Sequence, residues 1–196
     1  MASRALHDRS RASRAFTLVE VAIVVVIVGV LALLGILGYR RYTATSRMAE
    51  ATNVIGGIRS AQEAFKTEKG VYAAISNDTG SYYPAASPGK FATEWGGACS
   101  NCANGDPDAW RQITFHPSDP VVYGYAAVAD VGANFATAAA APPRAMLAPP
   151  TPPASLKATD PFFTAVAWGD TNGDGVPCIV TGYSFSNQLI IQAAGE

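Results

Sequence analysis

Histidine is nearly missing from this 196-residue chain, which has two, and cysteine is scarce, with three. Charge is thin as well: 15% of residues are Asp, Glu, Lys or Arg, against about 25% in an average soluble domain. Each shortage excludes a class of protein. Three cysteines cannot build the disulfide framework of a small secreted scaffold. Two histidines supply no nucleophile, base and orienter set; Gly-x-Ser-x-Gly and a phosphate loop are both lacking, so a non-enzymatic role is expected. A net charge of −1 argues against a protein that grips nucleic acid by global charge, and no nucleic-acid site is evident. Gly and Pro, at 18 and 13, are too many for an all-helical fold, and 49% apolar residues are too many for a disordered chain.

What the chain does have is one long apolar run. Val21 to Leu37 contains no charge, polar side chain or proline. Extended to residues 16–38, the run would make a helix roughly 35 Å long, enough to cross a bilayer. Ahead of it, Met1 to Ala15 carries Arg4, Arg9, Arg11 and Arg14 against a single Asp8, a charge of +3, while the rest of the chain sums to −4. A basic stretch before an apolar run reads as an export signal. The run exceeds the roughly 7–15 apolar residues of an ordinary signal peptide, and no Ala-x-Ala follows it, so it is expected to be kept. Glu20 interrupts its start. A carboxylate in hydrocarbon costs about 2.5 kcal/mol or more. Two readings stand: a helix-start Glu wetted by headgroups, or a residue that binds a cation on another chain.

The string Arg14-Ala15-Phe16-Thr17-Leu18-Val19-Glu20 resembles the processing site of type IV prepilins and the related pseudopilins. The resemblance extends through Gly29 inside the run, the Tyr39 and Tyr42 pair after it, Ser46-Arg47-Met48-Ala49-Glu50-Ala51, and Ala61 to Phe65 leading to Glu68-Lys69-Gly70-Val71-Tyr72. It implies cleavage between Ala15 and Phe16 by a prepilin peptidase and N-methylation of the new Phe16 amine. It also implies polymerisation through the helix, with Glu20 pairing with the amine of a neighbour. Two charges that are unfavourable alone in an apolar bundle become tolerable together and set axial register. The family usually has Gly before the cut, where this chain has Ala15, and it often has a helix-bending Pro, where this chain has Leu37 between Gly35 and Gly38. Arg40, Arg41 and Arg47 follow the run closely, so the orientation, N-terminus in and head out, rests on the resemblance.

Beyond Gly38, Ala51, Ile55, Ile58, Gln62 and Phe65 recur at helical spacing with Val54 and Ala61 beside them. They form an amphipathic stripe that should face a head domain. Arg59 and Glu63 are spaced as an i, i+4 pair. Gly56-Gly57 implies either close backbone packing or a bend. The helix should stop at Gly70, after a basic last turn. Residues 71–110 read as a long loop. Strands are expected at Gln112–Phe115, Val121–Val128, Phe162–Trp168, Cys178–Ser184 and Asn187–Ile191. Residues 136–155, with six prolines among alanines, read as an extended exposed loop.

Two constellations invite chemistry. Cys99-Ser-Asn-Cys102 lacks the histidine of a haem motif and the further ligands of a zinc site, so a disulfide is expected in an oxidising compartment. Cys99–Cys102 pairing and a bridge from either to Cys178 both remain open. Asp170, Asn172 and Asp174, followed by Gly175, match the first half of a Ca2+ loop, whereas position twelve is Thr181 rather than Glu. The other reading is a tight strand-to-strand turn.

The expected protein is therefore α+β and pilin-like: a leader over residues 1–15, the transmembrane and assembly half of a long helix over 16–38, its amphipathic half over 39–69, and an antiparallel β-sheet head over 70–196. Its expected role is that of a structural subunit of a type IV pilus-like filament serving motility, adhesion or DNA uptake. A pseudopilin of a type II secretion system is the alternative within the same class, and a membrane-tethered ligand-binding domain the alternative from another. The partners expected are further copies of itself, prepilin peptidase, inner-membrane pilus or secretion machinery, and the membrane. The place expected is the inner membrane first, then a cell-surface or periplasmic filament.

Overall fold

A computed structural model describes residues 17–84, 88–89, 91–138, 140–142 and 151–192. The chain divides into two compact units, residues 1–40 and 41–196. One helix, α1 (Leu18–Lys69), contributes to both. It runs unbroken through Gly29, Gly35 and Gly38, as expected where glycine weakens a helix without removing a hydrogen bond. Every residue from 17 to 42 is exposed. At the other end Gly70 adopts φ +79°, and its N–H donates to the Lys66 carbonyl at 2.7 Å, closing the last turn.

In the second unit the amphipathic half of α1 lies against a sheet. Ala51, Val54, Ile55, Ile58, Ala61 and Gln62 are its buried residues. Strands β1 (Gly124–Val131), β2 (Pro161–Gly169), β3 (Cys178–Tyr183) and β4 (Ile190–Gln192) pair antiparallel in chain order. The helix side of the sheet carries small residues. Ala127 is opposite Ala165, and Ala165 is opposite Gly182. A Cβ on Gly182 would stand 3.0 Å from Ile55 Cγ2, so the missing side chain sets how closely helix and sheet approach. The reverse face is also covered: Tyr82 packs with Ala126, Val166 and Ile179, while Phe135 packs with Phe162 and Tyr183. Both faces being buried explains why these strands read as continuous apolar runs rather than alternating ones.

The structure corrects several expectations. Gln112–Phe115 is not a strand. The Asp106 carboxylate accepts from Asp108 N–H and Gln112 Nε2, and a 3-10 turn (Ala109–Gln112) forms there instead. The strand expected from Val121 begins at Gly124. The Val121 amide is bound to the Thr93 carbonyl, and the amides of Val122 and Tyr123 donate to Glu50. The last strand starts at Ile190 rather than Asn187; Arg59 takes the carbonyls of Ser186 and Asn187. Arg59 and Glu63 do not form the expected pair, because Glu63 accepts from the Tyr72 hydroxyl at 2.8 Å. Part of the Pro/Ala-rich segment is helical, in α2 (Phe135–Ala138); its residues 139 and 143–150 lie outside the described residues.

Candidate assembly helix and head sites

Ala15 and Phe16, the expected cleavage and methylation residues, lie outside the described residues. The structure begins at Thr17, where α1 carries a reciprocal cap. Glu20 N–H donates to Thr17 Oγ1 at 3.2 Å, while Thr17 N–H and Oγ1–H both donate to Glu20 Oε2 at 2.9 Å. Thr-x-x-Glu is the capping-box spacing, a signal legible in the sequence that a reading of Glu20 for its charge alone passes over. Among the described residues Oε1 has no partner. From Leu18 to Leu37 the helix presents Val, Ile and Leu side chains more than half exposed. It is long and apolar enough to cross a membrane.

Where the stem meets the head, the polar contacts are made by residues that flank the apolar stripe and by Gln62 within it. Glu50 Oε1 accepts from Val122 N–H at 2.9 Å, Tyr123 N–H at 3.5 Å and the Tyr125 hydroxyl at 3.1 Å. Burial, then the neighbouring Glu50 charge, raises Tyr125 well above the usual phenol range. Arg47 donates to the Thr171 carbonyl, which couples the stem to the loop after β2. Gln62 is fully buried and answers both polar groups of Ala73, each at 2.9 Å. Sequence periodicity places Gln62 on the buried face but gives no sign of Glu50 as a clasp, because its partners are sixty or more residues away.

The cysteines form a Cys99–Cys102 bond, with Cα atoms 5.6 Å apart. Cys178 is a free, buried thiol at the start of β3, beside the Tyr123 hydroxyl. In the loop from 170 to 176 the side chains are occupied by local bonds. Asp170 accepts from the amides of Gly173 and Gly175, Asn172 from Asp174, and Asp174 from Val176. Gly173 and Gly175 have φ +78° and +87°. This is the hydrogen-bonding pattern of a tight turn built from Asp, Asn and Gly. Among the described residues no three His, Cys, Asp or Glu side chains gather in a metal-holding group.

A family model, the prokaryotic N-terminal methylation motif, matches residues 10–36. No curated protein and no solved structure matches the chain. The chain thus carries the signature of type IV pilins and pseudopilins. The signature covers the end of the basic stretch with Arg11 and Arg14, the capping box and most of the apolar run, and it leads into a pilin-like architecture of one long helix and an antiparallel sheet.

Proposed function

We propose that the chain is a structural subunit of a type IV pilus-like filament, made with a leader, cut before Phe16 by a prepilin peptidase, methylated there, and polymerised through α1. The observation that carries this reading is the methylation motif over residues 10–36 running directly into a helix whose apolar half is wholly exposed. A fully exposed run of Val, Ile and Leu is unstable in water. A bilayer covers it before assembly, and packed copies of the same helix cover it in a filament. Oε1 of Glu20 is the group that would accept the amine of a neighbouring copy, while Oε2 continues to cap its own helix. The role is structural rather than enzymatic.

Peptide mass spectrometry on sheared surface filaments and on inner membranes tests the reading. A methylated Phe16 start in the sheared fraction supports a surface pilin. The same start confined to membranes points to a pseudopilin in a periplasmic filament. An intact leader found in membranes alone would overturn the filament reading and return the chain to a tethered binding domain.

A further inference from the structure

The head contains a cleft of about 420 Å³. Tyr83, Trp95, Trp110 and Phe115 line it, and Asp108, Arg111 and His116 stand at its rim. Trp95 is the hub of the aromatic wall. Its ring centroid lies 5.0 Å from those of Tyr83 and Trp110 and 6.2 Å from that of Phe115, with all three rings nearly perpendicular to it. Phe115 is seated on α1 itself: a Cβ at Gly57 would fall 2.0 Å from its ring. The Cys99–Cys102 bridge borders the cleft, and the Cys99 amide donates to the carbonyl of Pro107, one of the lining residues.

We propose that this cleft binds a saccharide, with a pyranose ring stacked on the aromatic wall and its hydroxyls bonded to the rim. A pyranose has an apolar C–H face and a polar edge, which matches an apolar wall with polar groups confined to the rim. The rim charge selects a neutral ligand. Asp108 and Arg111 are paired at 3.1 Å and both exposed, so they cancel each other yet still offer an acceptor and a fork of donors. With Asp108 already paired to Arg111, the rim offers no uncompensated anion to balance a quaternary ammonium. The cleft volume falls within the range of about 300–1,000 Å³ typical of small-molecule sites.

Saturation-transfer NMR on the full chain, in a detergent without a sugar headgroup, tests this. The probes are methyl β-glucopyranoside, lactose and N,N′-diacetylchitobiose, with choline as the charged comparator. Saturation of ring C–H protons in at least one saccharide is expected, at millimolar affinity or tighter. Arg111→Ala, a change to an exposed side chain, should weaken that binding about tenfold, some 1.4 kcal/mol, with no change in the melting curve. Trp95→Ala should abolish it; because Trp95 supports several rings, its melt is recorded alongside, and the Arg111 result decides if the variant is unfolded. No transfer to any of the three sugars, transfer unaltered by Arg111→Ala, or tighter binding of choline would each overturn the proposal. The outcome is independent of filament formation, since only the head is involved.

Discussion

Glu20 has two tasks that a single substitution can separate. One oxygen caps the first turn, and the charge is what a neighbour's amine would meet. Glutamine keeps the capping-box geometry but not the charge. Glu20→Gln should therefore leave membrane insertion and helix content intact while sharply reducing filament yield, scored by electron microscopy of sheared material; normal filaments would show that the cap, not the charge, is what assembly needs. Buried phenols make a second prediction at this scale. Burial pushes Tyr183 up to about 12 and raises Tyr125 and Tyr82 further. In the unfolded chain each ionises near 10. A phenol raised in the fold binds its proton more tightly there than when unfolded, so its contribution is complete below pH 10 and is lost as pH climbs towards the folded values. Head melting temperature should be level from neutral pH to about 9 and fall above about 10. The tyrosinate absorbance of these three buried phenols should appear together with unfolding rather than before it.

Among the elements, the paired glycines of α1 behave oppositely. Nothing stands within 4 Å of a Cβ added at Gly56, whereas one at Gly57 meets the Phe115 ring. Gly56→Ala should stabilise the head by up to about 1 kcal/mol through helix propensity. Gly57→Ala should destabilise it by about 1–3 kcal/mol through overpacking, read from denaturant midpoints. Close packing rather than a bend is thus the reason for Gly57. The stem was legible in the sequence because its signals are local: the apolar stripe, the basic last turn and Gly70 lie within a few residues of what they decide. The strand ends were not. Val121 to Tyr123 have strand-like side chains, but their amides go to Thr93 and to Glu50, a destination no window of neighbouring residues contains. The aromatic cleft was hidden for the same reason, since it gathers residues 83, 95, 110 and 115 from loops with no period. The loop from Asp170 to Val176 was readable as a motif but not as a choice between turn and calcium. A turn whose carboxylates are engaged by its own amides should melt identically with calcium and with chelator. A chelator-sensitive melt that Asp174→Ala abolishes would establish the metal.

For the whole molecule, the core is shared between segments far apart in the chain. Ile55 and Ile58 in the stem are completed by Tyr125, Phe163 and Val180. A chain ending after residue 177 would lose β3 and β4 and leave the Ala51–Gln62 face half-covered. It should show no cooperative thermal transition and should be degraded in cells, which limited proteolysis and immunoblotting would reveal. The chain-order meander also has a temporal meaning. A polypeptide is made from its N-terminus, so α1 emerges more than a hundred residues before β3, and its apolar face must wait that long for this partner. During that interval the first unit can already be held in a bilayer while the second is still incomplete. Folding of the head is then gated by the final third of the chain, and a stalled or shortened product would present an anchored, sticky helix rather than a nearly finished subunit.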